Sequence, residues 1–265
     1  MQLGIFDSGI GGFTVLQRIN ERFGDISCLY IGDLERSPYG SKSKRDIRSF
    51  AEETVSWLNS QEVNFIIVAC NTTNSVALDV VNHFSKVPVF GLIEAASYMV
   101  QSERIGVLAT ETTALSRAYT KSILLNNPNA FVIEKSCPKL VPMIEMMELN
   151  NREISNELKS YLKPLIEANV DEIILGCSHY PLIMNHLKEL VPKTVKIIDP
   201  ALGLVNKLDR LVSDNISPLG KIQTFSNTRF CVTADASGFA SKAMYWLKNY
   251  PEVELITLRS KACVS

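Results

Sequence analysis

The sequence lacks the charge bias and the long apolar runs that would indicate a nucleic-acid or membrane partner. Its 27 lysine and arginine residues are balanced by 28 aspartate and glutamate residues, for a formal net charge of -1 at pH 7. Without a basic excess or a local basic patch, the chain has little to attract a phosphate backbone or an anionic lipid surface. Its apolar runs stay short of the ~18 residues that a bilayer-spanning helix needs. We therefore expect a small-molecule partner, with no nucleic acid and no membrane involved.

The cysteines lack the spacing of metal sites and of disulfide frameworks. There are six, with no CxxC pair, and the three histidines of the chain form no cluster beside them. They are Cys28, Cys70, Cys137, Cys177, Cys231 and Cys263. This pattern argues against a zinc site and, in a reducing compartment, against disulfides. The amino-terminal run has no cationic leader and contains Asp7, which is not typical of a secretory signal. We expect a cytoplasmic protein whose functional cysteines act as thiols.

A glycine-rich turn follows the first apolar run, but it does not match a dinucleotide-binding fingerprint. Residues 7–12 read Asp-Ser-Gly-Ile-Gly-Gly, and Thr14 holds the place of the third glycine. Asp7 would also lie next to the pyrophosphate, which is unfavourable. No lysine for a pyridoxal Schiff base and no metal-ligand set is evident either. The sequence therefore predicts no cofactor and no metal.

What the sequence does contain is a regular alternation of short apolar runs with longer segments of helical period. The chain is 46% hydrophobic, enough for a substantial core, and this alternation is typical of a parallel β-sheet covered by helices on both faces. The predicted helices cover 12–23, 43–60, 72–84, 94–102, 112–125, 151–168, 181–190 and 236–249, and a last strand is predicted at 253–258. The predicted fold class is α/β.

Three pairs of segments repeat in the same order along the chain. The pairs are 3–8 with 105–110, 63–71 with 170–178, and 87–91 with 195–199. Matches in order indicate an old duplication. They predict two similar parallel-sheet α/β lobes related by pseudo-two-fold symmetry, with the active site in the cleft between them. The predicted first lobe comprises 1–94 plus 205–265, and the second comprises 95–204.

Cys70 and Cys177 hold equivalent places in the repeat, directly after a buried strand and before a helix. Ligands of parallel sheets bind at these strand ends. A lone buried cysteine is commonly just a small apolar residue, but two at equivalent positions predict a pair of facing thiols. A thiolate on one side of a carbon and a thiol on the other would invert a stereocentre by proton transfer. Asn71, Thr72 and Ser178 would lie at helix N-termini, which favour carboxylates and lower a thiol's pKa.

Other polar residues follow strands at the same predicted edge. Asp7 would accept a substrate ammonium group or orient a thiol, although capping of the next helix by Asp7 or Ser8 is an alternative. Asp33 precedes a loop at 37–40 that either faces the cleft or is a plain turn. His179 would tune the nearby thiol of Cys177. A polar stripe at three-residue intervals predicts a helix face on the cleft, and capping would explain only one of its members: Thr110, Thr113, Ser116 and Tyr119.

Motifs spread nearly end to end along the chain match one known family. They lie at 4–12, 30–33, 38–40, 69–72, 109–119, 137–145, 175–182 and 198–201. In this order they closely resemble the bacterial glutamate racemases, within the cofactor-independent aspartate/glutamate racemase family. One departure is Ser178, where the family more usually has threonine. The hydroxyl is kept and a methyl group is lost, so we expect carboxylate contact with a slightly looser fit.

The resemblance implies a two-base mechanism in which Cys70 takes the α-proton of D-glutamate and Cys177 that of L-glutamate. It also implies catalytic support around the two thiols from Asp7, Asp33, Glu145 and His179. The substrate-binding residues that it implies are Asp7, Ser8, Tyr39, Gly40, Asn71, Thr72, Thr113, Ser178 and His179. A homodimer that supplies D-glutamate for peptidoglycan is expected.

Three other functions remain open at this point. An aspartate or hydantoin racemase of the same superfamily would share the paired cysteines and differ around the distal carboxylate. A non-catalytic amino-acid-binding or regulatory protein would keep the pocket without turnover. A peroxidatic thiol protein would consume peroxide.

Overall fold

Residues 1–147, 149–212 and 224–258 are described by the computed structural model, in which helices cover two parallel β-sheets. Cys263 and parts of the segment predicted to complete the first lobe lie outside these residues. The strands of the described residues are β1 (Leu3–Asp7), β2 (Cys28–Gly32), β3 (Phe65–Val68), β4 (Val89–Gly91), β5 (Arg104–Ala109), β6 (Phe131–Ser136), β7 (Glu172–Gly176), β8 (Lys196–Ile198), β9 (Thr228–Val232) and β10 (Val253–Leu255).

Helices follow most of these strands, as the alternation predicts. The α-helices of the described residues are α1 (Phe13–Phe23), α2 (Lys44–Leu58), α3 (Asn71–Phe84), α4 (Leu92–Ser97), α5 (Glu111–Ser116), α6 (Ala118–Asn126), α7 (Leu140–Glu145), α8 (Asn151–Glu167), α9 (Met184–Leu190), α10 (Pro200–Val212) and α11 (Ala236–Leu247). Short 3-10 turns occur at Leu34–Arg36, Tyr39–Ser41 and Tyr180–Ile183. Among the helices described, none combines the length and apolarity needed to cross a bilayer.

The two sheets repeat one strand order. The six-stranded sheet runs β10-β9-β2-β1-β3-β4 and the four-stranded sheet runs β6-β5-β7-β8, and neighbouring strands are parallel throughout. β2-β1-β3-β4 therefore corresponds to β6-β5-β7-β8, which confirms the predicted α/β class with two similar parallel-sheet units. We call the strands at 3–91 and 228–255 with their helices the first half, and those at 104–198 the second half.

Apolar residues at helical spacing explain how helices attach to these sheets. In α1, Phe13, Leu16 and Ile19 are buried while the opposite face carries charge. The ring of Phe13 lies 5.5 Å from that of Tyr30 in β2 and 4.9 Å from that of Phe239 in α11. Aromatic pairs at these distances stabilise a core beyond the area that they bury. This cluster fixes α11 against the first half.

Several predicted elements differ in extent from those observed. The helix predicted at 112–125 is two helices, because Arg117 adopts a left-handed conformation with φ of 56° between them. The helix predicted at 181–190 begins instead with the 3-10 turn Tyr180–Ile183. The helix predicted at 94–102 is α4 and ends at Ser97. Three elements were not predicted: α7, α10 and β9. The last is a short strand that lies between β2 and β10.

Both predicted lobe boundaries fall inside helices of the structure. The division into lobes at these positions remains a prediction. Position 94/95 lies within α4 and position 204/205 within α10, and these two helices pack on each other. Side chains join the halves at several points: Arg18 Nε lies 3.0 Å from Asp199 Oδ2, and Thr112 Oγ1 donates to the Gly40 carbonyl at 3.0 Å. The carboxyl ends of the two sheets consequently lie against each other.

Candidate active site

One small cavity lies where the carboxyl ends of the two sheets meet. β1, β3 and β7 end shortly before Ser8, Cys70 and Cys177, and all three side chains line it. Its volume is about 10 Å³, room for roughly one water molecule. The lining residues are Ser8, Pro38, Tyr39, Gly40, Cys70, Asn71, Thr72, Thr110, Val141, Cys177, Ser178 and His179. Most of the residues expected to contact substrate are therefore brought together, and Asp7, Asp33, Thr113 and Glu145 lie behind them, in contact with lining residues.

Cys70 stands at the N-terminal end of α3 and is almost completely buried. Its Sγ donates to Ser8 Oγ at 3.7 Å, and Thr73, in the first turn of α3, also lies close enough to affect the thiol. Burial, and next the charge of Asp7, raise the pKa of the Cys70 thiol, although the hydrogen bonds from Thr73 and Ser8 lower it. The helix N-terminus lowers the pKa of this thiol through the Thr73 backbone N–H, as expected, but desolvation outweighs this contribution and the net change is upward.

Cys177 lies at one end of a chain of polar contacts that leads away from the cavity. Its Sγ is 3.8 Å from Nδ1 of His179, whose Nε2 is 2.7 Å from Oε1 of Glu145. Glu145 ends α7, and its Oε2 accepts a hydrogen bond from Lys242 Nζ of α11 at 2.8 Å. The backbone N–H of Ile10 also donates to Glu145 Oε1, at 3.3 Å. The support for this thiol therefore comes from both halves.

The contacts of His179 and Glu145 favour the charged form of each group. Burial raises the pKa of Glu145, but hydrogen bonds and charges from His179 and Lys242 outweigh it and lower that pKa to about 2. Burial likewise opposes the charge on His179, whereas hydrogen bonds with Cys177 and Glu145 raise its pKa well above the usual 6.5. The imidazole of His179, with its charged form favoured, consequently faces the Cys177 sulfur.

The ionised pair predicts a specific pH dependence of stability for Glu145→Gln. The Glu145 contribution is complete above pH 4.5, its ordinary pKa, and is lost as pH falls towards about 2. The His179 contribution is complete below pH 6.5 and is lost as pH rises through its raised folded value. The difference in Tm between wild type and Glu145→Gln should therefore be largest between pH 4.5 and 6.5. Thermal unfolding across pH measures this, with Glu153→Gln, a change of an exposed glutamate, as control; a difference constant with pH contradicts it.

Asp7 is fully buried and joins the two halves. Its Oδ1 accepts from the Gly9 N–H at 2.8 Å, and its Oδ2 accepts from Ser178 Oγ at 3.0 Å. The helix-capping alternative is wrong, because α1 is capped by Gly12 with no side-chain hydrogen bond. Burial raises the pKa of Asp7 despite the nearby charge of His179. This carboxyl group orients the Ser178 hydroxyl beside the cavity.

The glycines of the turn at 9–12 allow this turn of the first half to approach the second half closely. A Cβ on Gly9 would collide with Glu145, and one on Gly11 would collide with Ser178 and His179. Glycine is therefore required here by space. Left-handed backbone is not the reason, since the positive-φ glycine among the described residues is Gly24.

Asp33 reaches the cavity through Tyr39. Its Oδ2 accepts hydrogen bonds from the Tyr39 hydroxyl and from Arg36 Nε, and its Oδ1 accepts from Thr233 Oγ1 at 2.9 Å. Burial and the charge of Asp33 raise the pKa of Tyr39 well above its ordinary value. The hydroxyl of Tyr39 is thus kept neutral at the cavity wall. The loop is more than a plain turn, because its residues Pro38, Tyr39 and Gly40 line the cavity.

A network of hydroxyl groups closes the opposite wall. Thr110 Oγ1 lies 3.0 Å from Thr72 Oγ1 and 2.9 Å from Thr113 Oγ1, linking α3 to the start of α5. The Tyr119 hydroxyl donates to Asn71 Oδ1 at 2.5 Å. The Asn71 Nδ2 atom is buried and has no hydrogen-bond partner among the described residues. Since buried donors are rarely unpaired, this amide is suited to a ligand oxygen.

Sequence reasoning missed two contributors to the site. Thr73 lies one residue beyond the segment that was singled out, and its position in the first turn of α3 would have indicated a contact with Cys70. Lys242 is separated from Glu145 by 97 residues, and nothing in the pattern of α11 marks it. Over the residues described, no group of three or more metal-ligating side chains is placed to hold a metal ion.

Comparison with known proteins gives one consistent relationship. The family model for Asp/Glu/hydantoin racemases matches residues 10–208. A glutamate racemase from Synechococcus sp. (strain CC9605) is 46% identical over 255 residues, covering 96% of each chain. One from Prochlorococcus marinus (strain NATL1A) is 44% identical over 265 residues and the full length of both. The crystal structure of glutamate racemase from Francisella tularensis in complex with D-glutamate superposes with a TM-score of 0.87 at 35% identity, covering 97% of each chain.

Proposed function

The chain belongs to the Asp/Glu/hydantoin racemase family and is an isomerase that racemises glutamate, and we propose that Cys70 and Cys177 carry the proton transfers at the α-carbon. The observation that carries the proposal is geometric: the two thiols follow equivalent strands, β3 and β7, and line one cavity. In this family the product D-glutamate serves peptidoglycan synthesis.

In the proposed mechanism the two thiols hold opposite protonation states. The cation of His179 stabilises a thiolate at Cys177, while burial and Asp7 favour the neutral thiol at Cys70. This form removes the α-proton of L-glutamate with Cys177 and donates a proton from Cys70 to the other face, giving D-glutamate. The reverse reaction starts from the opposite protonation state. Each turnover thus exchanges the two states.

The carbanion formed at the α-carbon needs stabilisation from fixed donors. Asn71 Nδ2 is unpaired within the described structure, and the backbone N–H groups of the first turn of α3 lie next to it. We assign these donors, with the hydroxyls of Ser8, Thr72 and Ser178, to the carboxylates of the substrate. Exclusion of water from so small a cavity strengthens such contacts.

The substrate is a small molecule, and three finer points belong to the proposal. We place the enzyme in the cytoplasm, because the five described cysteines are all buried free thiols. We also expect a homodimer, and turnover without an added cofactor. These points rest on the family and on the cysteine pattern of the sequence.

The function is tested by following the optical activity of L-glutamate and, separately, D-glutamate with reduced protein dialysed against chelator. Decay of both signals to zero without added cofactor supports the proposal. Decay with aspartate but not with glutamate would favour the aspartate racemase. No change with either, together with no α-proton exchange in heavy water, would favour a binding protein.

A further inference from the structure

Lys242 completes the polar chain that begins at Cys177. Its Nζ is 2.8 Å from Glu145 Oε2, while Glu145 Oε1 is 2.7 Å from His179 Nε2. The other ring nitrogen of His179 is 3.8 Å from the Cys177 sulfur. Glu145 is mostly buried and the Lys242 side chain is 25% exposed, so this ion pair is sheltered from solvent screening.

The residues in this series of polar contacts come from opposite halves of the molecule. Cys177, His179 and Glu145 belong to the second half, whereas α11, which carries Lys242, packs on β9, β10 and α1 of the first half. The Ile10 N–H, from the glycine-rich turn, donates to the same carboxylate. Both first-half donors can reach Glu145 only while the halves are in contact. The hydrogen bonds that orient this carboxylate therefore depend on closure.

We propose that Lys242 is a positioning residue for the Cys177 half of the reaction: it holds the Glu145 carboxylate against His179, and so keeps the His179 ring in place beside the Cys177 sulfur while the two halves are in contact. The inference rests on the proposed function and extends it to a residue outside the cavity. Lys242 touches neither the thiol nor the cavity. Its effect passes through Glu145 and His179.

Removal of the Lys242 cation should shift the pH dependence of activity in a predictable direction. The titratable groups around the Glu145–His179 pair are Cys177, Asp7 from β1, Tyr30 from β2 and Lys242 itself. Loss of a positive charge makes every neighbouring acid harder to deprotonate. Groups that must be anionic for turnover then require higher pH. The activity profile should move to higher pH as a whole.

The experiment compares Lys242→Met with Lys242→Arg, and with Lys248→Met as the matched control. Lys248 lies at the end of the same helix, and its Nζ donates to the Tyr245 carbonyl, away from Glu145. For Lys242→Met we expect kcat/KM at pH 7 to fall on the order of tenfold, a part of the ~10² to 10⁴-fold that a positioned acid or base contributes. Its acid limb should move to higher pH. Lys242→Arg should restore both properties, and Lys248→Met should leave them unchanged.

Combination with Glu145→Gln tests whether Lys242 acts through that carboxylate. The double variant should be no worse than Glu145→Gln alone, since the contact is already lost. Additive losses, or a Lys242→Met enzyme with the wild-type pH profile, would overturn the proposal. Because L- and D-glutamate have equal free energy, kcat/KM must remain equal in the two directions, which checks each data set.

A second readout does not require turnover. The rate of Cys177 alkylation by iodoacetamide at pH 7, followed by peptide mass, should be lower in Lys242→Met than in wild type, Lys242→Arg or Lys248→Met. An unchanged alkylation rate would overturn the inference even if the enzyme is active. If the wild-type chain fails to racemise glutamate while the difference in alkylation rate is present, the proposed function fails, and what stands is the influence of Lys242 on Cys177 through Glu145 and His179.

Discussion

Cys70→Ser and Cys177→Ser are each expected to lower glutamate racemisation by at least ~10³-fold, because a positioned acid or base contributes ~10² to 10⁴-fold and both are needed in every turnover. A serine hydroxyl keeps the size of the group but is a far weaker acid than a thiol. Both side chains are buried at the cavity wall, with 3% and 4% of their surface exposed. Glutamate binding should remain largely intact, since the carboxylate-binding donors are other residues.

The measurement is optical activity for turnover and calorimetry for binding. Cys137→Ser is the matched control: Cys137 is also buried, and its Sγ lies 3.4 Å from the Lys135 carbonyl, a contact that a hydroxyl maintains. It should keep activity near that of wild type. Full activity in either Cys70→Ser or Cys177→Ser would end the two-thiol mechanism.

His179→Asn is expected to lower kcat/KM by about 10²-fold, the second largest effect, because it removes the only titratable cation in direct contact with Cys177 among the described residues. The neutral amide cannot stabilise a thiolate by charge, and it leaves Glu145 with one fewer hydrogen-bond partner inside the site. Activity that remains should require higher pH than in wild type, since the thiolate then forms without help from a neighbouring cation.

Steady-state kinetics across pH measures this effect. His83→Asn serves as control, because His83 is exposed on α3 and its ring contacts Phe84 rather than the cavity. It should behave as wild type. A His179→Asn enzyme with unchanged kcat/KM and an unchanged pH profile would show that the histidine has no part in proton transfer.

The two thiols could be located from sequence because a repeat places them. β3 and β7 are equivalent strands, and the position after a buried parallel strand is fixed by topology. Residues that act at short range from these strand ends, such as Asn71 and Ser178, follow for the same reason. The α/β class and most helices follow from periodicity, which depends only on local apolar spacing.

Contacts between distant elements could not be predicted in this way. Lys242 approaches Glu145 because α11 packs on the first half while α7 extends from the second, and neither relation is present in local sequence. The break at Arg117 was missed because a left-handed arginine is set by tertiary packing rather than by propensity. The raised pKa of Cys70 was missed because burial is a property of the folded chain.

The small size of the cavity has a consequence for how product is released. A space of about 10 Å³ is smaller than an amino acid, so we expect the lining side chains or the two halves to move apart when substrate enters and to close around it. A captured molecule remains enclosed until the next opening. When proton transfer is faster than opening of the site, the bound glutamate is converted between its two enantiomers many times before it is released. The released product is then a near-racemic mixture, whichever enantiomer was bound first. The rate of turnover is then limited by how fast the closed site opens. A viscous cosolvent that slows opening would therefore slow turnover without changing the proton-transfer steps.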